Sequence, residues 1–304
     1  MNRLAVIGTG VIGSGWAARA LARGLDVTAW DPDPEAEPRL RRAIGNAWPA
    51  LERVGLADGA SRRRLRFASH LSKAVEAADF VQESIPENER LKRSLLAQID
   101  AVTPPGVVIA SSSSGLLPSR IQAHCRQPGR VLIGHPFNPV YLLPLVEVVA
   151  GERTEPSAVQ AACTFYRRLG MRPLLVRQEI AGYISDRLQE ALWREALHLI
   201  ADGVATTEEI DDAIVYGPGL RWAFMGTCLT FHLAGGDNGM QHMLEQFGPA
   251  LKLPWTKLRA PELTPELRRR MVQGTAAQAN GRSIKELERW RDIQLLRILE
   301  VTGA

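Results

Sequence analysis

Near the N-terminus a short apolar run, Leu4-Ala5-Val6-Ile7, passes directly into Gly8-Thr9-Gly10-Val11-Ile12-Gly13 and then into an apolar helical stretch through Leu21. No other segment restricts the fold so strongly. A continuous apolar run of this length, closed by glycine, reads as a strand buried on both faces, and such strands belong to parallel sheets covered by helices. The three glycines have separate tasks. The first allows a tight turn, the second lets backbone approach a diphosphate, and the third lets helix pack closely on strand, while the helix N-terminus attracts phosphate. Val27-Thr28-Ala29-Trp30 is the next strand, and Asp31 stands at its end, about 20 residues beyond the glycines. A carboxylate there accepts hydrogen bonds from ribose hydroxyls and repels a 2′-phosphate, so the loop predicts NAD rather than NADP. A turn residue before Pro32 is the plainer account of Asp31, but it leaves the offset from the glycines unexplained.

Further strands are expected at Phe80-Val81-Gln82, Val107-Val108-Ile109-Ala110, Val131-Leu132-Ile133 and Val146-Glu147-Val148-Val149, with helical stretches such as Arg90 to Ile99 between them. Alternation of this kind predicts an α/β fold, a Rossmann-type doubly wound sheet with parallel pairing. From Tyr183 onward no strand pattern is found. Leu188, Ala191, Leu192, Glu195 and Leu199 form a mostly apolar stripe at helical spacing, and Ser283 with Glu286 reads as a capping box opening a last helix through Leu299. The predicted division is residues 1–181, an NAD-binding Rossmann domain, and 182–304, an all-α C-terminal domain.

Composition removes several classes of function. The net charge of +4 resides largely in short runs such as Arg62-Arg63-Arg64 and Arg268-Arg269-Arg270. These read as solvated helix faces; no basic stripe alternates with aromatics, so no nucleic-acid partner is expected. Cys125, Cys163 and Cys228 have neither pairing logic nor zinc-ligand spacing, which favours a reducing, cytoplasmic compartment and no metal. No apolar run approaches the roughly 20 residues needed to span a bilayer. Strand-like sequence begins by Leu4, which leaves no room for a signal peptide.

Gly134-His135-Pro136-Phe137-Asn138-Pro139 places a histidine at the end of a strand, where ligands collect in such sheets. Glu147 follows inside the apolar strand Leu145-Val146-Glu147-Val148-Val149. A carboxylate buried there needs a partner. An imidazole is one: a carboxylate on one ring nitrogen fixes the tautomer and raises the basicity of the other, which suits a general base. A core histidine satisfied by backbone, with the glutamate at a sheet edge, accounts for the same spacing. Ser114 closes the run Ser111-Ser112-Ser113-Ser114 after another strand, placed either to bond a substrate alcohol or simply to turn the chain.

Taken together, these segments resemble the 3-hydroxyacyl-CoA dehydrogenase family. The likeness extends over nearly the whole chain, through Pro86-Glu87-Asn88, the serine run, His135 to Pro139, Glu147, Gly182-Tyr183-Ile184-Ser185-Asp186-Arg187 and Glu209-Ile210-Asp211-Asp212-Ala213. The resemblance implies hydride transfer from a secondary alcohol to NAD. It makes His135 the catalytic base, Glu147 its acidic partner and Ser114 the hydroxyl that contacts substrate and cofactor. It also implies that Glu87 and Lys92 line the cofactor, that Asn138 lies near the nicotinamide, and that the helical domain builds a homodimer.

One departure bears on the substrate. Where acyl-CoA members usually carry Asn, this chain has Asp186, which repels an anionic group and attracts a cation. Aromatic residues accompany it in sequence: Tyr183, Trp193, Trp222, Phe224 and Phe231. Aromatic faces with a nearby carboxylate hold quaternary ammonium groups, at about 0.5–2 kcal/mol per aromatic contact. The expected substrate is therefore a small 3-hydroxy acid bearing a trimethylammonium group, and L-carnitine fits. Arg39, Arg41 and Arg42 follow the second strand, where relatives hold CoA phosphates, so a 3-hydroxyacyl-CoA or gulonate-type substrate stays open. A protein that binds NAD without turnover is the remaining reading, and the intact Ser114, His135 and Glu147 set argues against it.

Overall fold

Period-two alternation along buried strands builds both faces of one sheet. In β1 (Arg3–Ile7), Leu4 and Val6 join the core cluster on one face, and Ala5 and Ile7 join the cluster on the other. In a computed structural model, which describes residues 1–249, 253–257, 262 and 264–302, two compact units are found, Met1–Asp186 and Arg187–Ala304. In the first, β1 is followed by α1 (Val11–Ala22), β2 (Asp26–Trp30), α2 (Ala36–Val54), β3 (Leu65–Phe67), α3 (Leu71–Val75) and β4 (Phe80–Glu83). Then come α4 (Glu89–Val102), β5 (Val108–Ser111), α5 (Pro118–Ile121), β6 (Val131–Pro136), β7 (Leu145–Ala150), α6 (Pro156–Arg168) and β8 (Arg172–Val176). The strand order is β3-β2-β1-β4-β5-β6-β7-β8. The order reverses between β1 and β4, and the crevice above their carboxyl ends is where such a sheet binds ligands.

The doubly wound α/β sheet is as expected, with two edge strands added. β3 has only three residues, and β8 begins Arg172-Pro173 with most of its residues exposed or half-buried. Both lie at the sheet edges, where proline is tolerated and apolar patterning is weakest. The pairing differs from expectation at one place: β6 and β7 are antiparallel, while every other neighbouring pair is parallel. The reason is length. Only residues 137–144 join the two strands, and a parallel crossover needs a dozen residues or more.

α1, α2 and α6 cover one face of the sheet with a core that includes Trp16, Leu40, Phe80, Phe165 and Tyr166. Phe80 and Phe165 stack with ring centroids 4.0 Å apart. At Gly134 of β6 the Tyr166 hydroxyl occupies the side-chain position, since an added Cβ would lie 1.7 Å from its oxygen. Only glycine allows α6 to lie so close to the strand that carries His135.

The second unit contains most of α7 (Ser185–Ala201), then α8 (Thr207–Val215), α9 (Gly219–Trp222), α10 (Thr227–Ala234), α11 (Gly239–Phe247), α12 (Pro265–Ala279) and α13 (Ile284–Thr302). Ser283 and Glu286 cap α13 reciprocally, as the sequence predicts, and Thr206 and Glu209 do the same for α8. Leu197, Ile200 and Leu267 form a small core. A groove of about 820 Å³ in this unit is lined by apolar residues including Leu192, Trp193, Leu199, Val204 and Ile214. Among the described residues, no helix is long and apolar enough to cross a membrane.

Gly134→Ala is expected to cost about 1–3 kcal/mol or more through overpacking against Tyr166. Thermal unfolding of this variant should show a clear fall in Tm, and a melting curve that overlays wild type would refute the close approach.

Candidate active site

The glycine loop lies between β1 and α1. Gly8 has φ of +88°, and a Cβ there would come within 2.7 Å of the Ser84 carbonyl oxygen. A Cβ on Gly13 would lie 1.9 Å from the Gly8 oxygen. Gly10, by contrast, has nothing within 4 Å of its Cβ position. Two glycines are thus required by packing inside the protein, and the middle one leaves open space over the N-terminus of α1. That is the cradle a diphosphate needs, so the residues fit a dinucleotide. Val11 is exposed at the helix start, and Ile12 is packed against the core. Asp31 Oδ2 accepts from the Thr9 amide at 2.8 Å and the Thr9 hydroxyl at 3.1 Å, while Oδ1 accepts from the Asp33 amide at 3.1 Å. A carboxylate offers roughly four acceptor sites, so Asp31 shapes the loop and keeps capacity for a ribose hydroxyl.

The antiparallel register sets His135 directly opposite Glu147. Their side chains meet with Nδ1 and Oε2 2.9 Å apart. Glu147 has no exposed surface, and its other oxygen accepts from the backbone amides of Ile184 and Ser185, each at 3.0 Å. Burial pushes the Glu147 carboxyl towards the neutral acid, but the His135 ring and these two amides outweigh it, and the group is held below the ordinary glutamate range. Hydrogen bonds to a charged group contribute about 1.5–3 kcal/mol each, and three of them offset a desolvation cost of several kcal/mol. Glu147 is therefore an ionised acceptor, and it holds the ring with a proton on Nδ1. The other nitrogen, Nε2, is left as the reactive one.

Nε2 faces a second carboxylate, with Asp186 Oδ2 3.7 Å away. Asp186 stands in the first turn of α7, directly after the two residues whose amides hold Glu147. Two acidic groups thus flank one imidazole from opposite sides. Phe137 and Tyr183 pack against the ring with centroids 5.1 and 5.5 Å away. Tyr183 is fully buried and donates its hydroxyl to the Leu116 carbonyl at 2.7 Å. Burial raises its phenol far above the usual range, so it remains a donor.

The four serines divide their work. Ser111 bonds the buried Glu83, Ser112 enters a network with Trp16, Gln82 and Ser84, and Ser113 bonds Glu87. Ser114 alone is exposed, and its hydroxyl has no hydrogen bond among the described residues. Glu87 Oε1 also accepts from the amides of Ser114 at 3.1 Å and Gly115 at 3.2 Å, which pins the turn that presents Ser114. Lys92 is buried, 2.8 Å from Glu83 and 3.6 Å from Glu87, and it donates to the Ile85 carbonyl at 3.1 Å. Asn138 is exposed and precedes a cis peptide to Pro139. Trp222 and Phe224 lie in the second unit, both exposed.

Residues 3–180 match the NAD-binding domain of 3-hydroxyacyl-CoA dehydrogenase, and residues 182–279 match that family's C-terminal domain. The chain belongs to the 3-hydroxyacyl-CoA dehydrogenase family. Its cofactor is NAD. Within the family it is similar to an L-carnitine dehydrogenase of a Pseudomonas species, 62% identical over all of this chain and 94% of the relative. An L-carnitine dehydrogenase of Pseudomonas aeruginosa is 63% identical over 98% of this chain and 93% of its own length. Among solved structures, an NAD+-dependent dismutase, 5-formyl-3-hydroxy-2-methylpyridine 4-carboxylic acid 5-dehydrogenase, is 28% identical with a TM-score of 0.83, covering 100% of this chain and 99% of its own.

Several residues of this 3-hydroxyacyl-CoA dehydrogenase site were not singled out from sequence. Glu83 and Gln82 are fully buried in β4, and the same signal that marked Glu147, a polar group in an apolar strand, was present there. Arg19 gave no signal. It is buried in α1 and donates to the carbonyls of Val140, Leu143 and Leu169, tying the chain after Pro139 to the helix opened by the glycine loop. Burial lowers its pKa to about 10, which still leaves it charged near neutrality.

The depressed Glu147 value has a definite sign. The fold favours the ionised carboxylate, so this stabilisation is complete above the ordinary value of 4.5 and is lost as pH falls through the lower folded value. The stability difference between wild type and Glu147→Gln, followed by chemical denaturation, is expected to shrink as pH falls below 4.5. A difference that holds or grows over that acid range would contradict the assignment.

Proposed function

We propose that this chain oxidises L-carnitine to 3-dehydrocarnitine with NAD+, using Ser114, His135 and Glu147 as its catalytic set. The observation that carries the reading is the Asp186 carboxylate 3.7 Å from the nitrogen that receives the proton. In L-carnitine three bonds of about 1.5 Å separate the hydroxyl oxygen from the quaternary nitrogen, so the two lie within about 4 Å of each other. A hydroxyl at His135 Nε2 therefore brings the ammonium beside Asp186. At about 4 Å the gross attraction is roughly 4 kcal/mol at an effective dielectric near 20, before desolvation is subtracted. The names of relatives above 60% identity support the same substrate.

Each residue has a distinct task. His135 takes the hydroxyl proton on Nε2 as the carbonyl forms at C3. Glu147 stabilises the resulting imidazolium through Nδ1, and Ser114 orients the oxygen with its unengaged hydroxyl. Bound NAD+ supplies the acceptor for the hydride that leaves C3. Gly8 to Gly13 cradle the diphosphate, Asp31 takes the adenosine ribose, and Glu87, Lys92 and Asn138 line or support the nicotinamide side.

The protein is further proposed to be cytoplasmic and homodimeric, with the helical unit supplying the contact. Its apolar groove and exposed residues such as Leu188, Leu192, Leu229 and Phe231 support that surface. Sedimentation at micromolar concentration is expected to give twice the 33.4 kDa chain mass, and a monomer would refute it.

Absorbance at about 340 nm, recorded with NAD+ and L-carnitine, 3-hydroxybutyryl-CoA or L-gulonate in turn, tests the substrate. Turnover is expected with L-carnitine; a preference for either of the others would overturn the reading. His135→Ala should lose about 10²–10⁴ in kcat while NAD+ still binds. Asp186→Asn should raise the L-carnitine KM by tenfold or more on the order of the attraction above and leave the NAD+ KM unchanged. Equal kinetics for the Asn variant would remove Asp186 from substrate recognition.

A further inference from the structure

The polar network beside the glycine loop holds a hydroxyl with a forced direction. Ser112 Oγ lies 3.0 Å from Trp16 Nε1, 2.8 Å from Gln82 Nε2 and 2.9 Å from Ser84 Oγ. Indole nitrogen only donates. The Gln82 amide is oriented by its other neighbours: the same nitrogen is 3.2 Å from the Gly134 carbonyl oxygen, which only accepts, while Oε1 accepts from the Tyr166 hydroxyl at 2.8 Å. Ser112 thus receives two N–H donors, and a hydroxyl oxygen has two lone pairs. Both are filled. Its single proton goes to Ser84 Oγ, and the proton of Ser84 must point elsewhere. Among the described residues, Ser84 has no other hydrogen-bond partner for that hydroxyl.

Ser84 directly follows β4, at the point where the strand order reverses between β1 and β4. Its amide donates to the Ile7 carbonyl at 2.7 Å, and its own carbonyl abuts Gly8. It is half-buried, on the rim of the crevice. Trp16, one of the two donors that fill Ser112, belongs to α1, the helix that the glycine loop opens.

We propose that Ser84 is a cofactor-binding residue whose hydroxyl, directed away from Ser112 as a donor, bonds an acceptor oxygen on the nicotinamide-side phosphate or ribose of NAD. The choice of half follows from the sheet. Asp31, after β2, serves the adenosine ribose on one side of β1, and the remainder of a dinucleotide crosses to the β4 side. Because a prealigned hydroxyl need not reorganise, the network turns four polar side chains into one directed donor. The inference rests on the NAD reading and is independent of the alcohol oxidised.

Calorimetric titration of NAD+ and of AMP, without any alcohol, into wild type and Ser84→Ala tests it. One neutral hydrogen bond corresponds to about a two- to tenfold rise in Kd, expected for NAD+ and absent for AMP. An unchanged NAD+ Kd, or an equal loss for AMP, would overturn the proposal. Ser84→Cys keeps the shape with a weak donor and is expected to show the same rise in Kd, which covers an alanine variant that fails to fold. Wild type that fails to bind NAD+ would instead strike at the cofactor reading itself, whereas normal NAD+ binding with no L-carnitine turnover would strike at the substrate reading alone.

Discussion

The contact between His135 and Glu147 depends on a single reversal of strand direction. Six of the eight strands run one way, β7 turns back against β6 with β8 beside it, and that turn sets the two residues face to face. A buried carboxylate is among the costliest groups in a protein interior, and here it is held by an imidazole on one side and two helix-start amides on the other. The amides belong to Ile184 and Ser185, so the sheet, the start of α7 and Asp186 are built around the same carboxylate. Without the reversal, Glu147 would be an unpaired charge in an apolar strand.

The crevice beside this pair is held by polar groups, with apolar packing behind them. The pairing of β5 with β6 ends at Ser111 and Ile133. Just beyond, Gln82 reaches from β4 to the Gly134 carbonyl, so a side chain takes the place of a missing backbone rung next to His135. On the opposite face, Lys92 neutralises Glu83 and stands near Glu87, whose carboxylate fixes the serine turn. Polar groups in a low-dielectric interior are costly when half satisfied and rigid when fully satisfied. These are satisfied, so the strand ends that present Ser114 and His135 are stiff where precise placement matters for catalysis.

Much of this was legible from residues alone, for identifiable reasons. β1, β2, β4, β5, β6 and β7 stood out because strands buried in the middle of a sheet carry a run of apolar residues. β3 and β8 did not, because edge strands need only one buried side. Glu147 announced itself as a carboxylate among valines, whereas Arg19 looked like one arginine among many, since its partners are backbone carbonyls distant in sequence. The serine run read as a unit, but the separate duties of Ser111, Ser112, Ser113 and Ser114 depend on neighbours brought from β4 and α1.

Local chemistry, written in the chain itself, determined the glycine turn, the acid that follows β2, the apolar strands and the presence of a histidine and a carboxylate suited to one another. Those features are short-range, set by residues within a turn or a strand of each other. Tertiary structure decided which atoms meet: that β7 runs antiparallel, that Nδ1 faces Glu147 and Nε2 faces Asp186, and that Ser112 must give its proton to Ser84. Hydrogen bonds act over about 3 Å and depend on direction, so partners separated by a dozen to a hundred residues are chosen by strand register and helix placement.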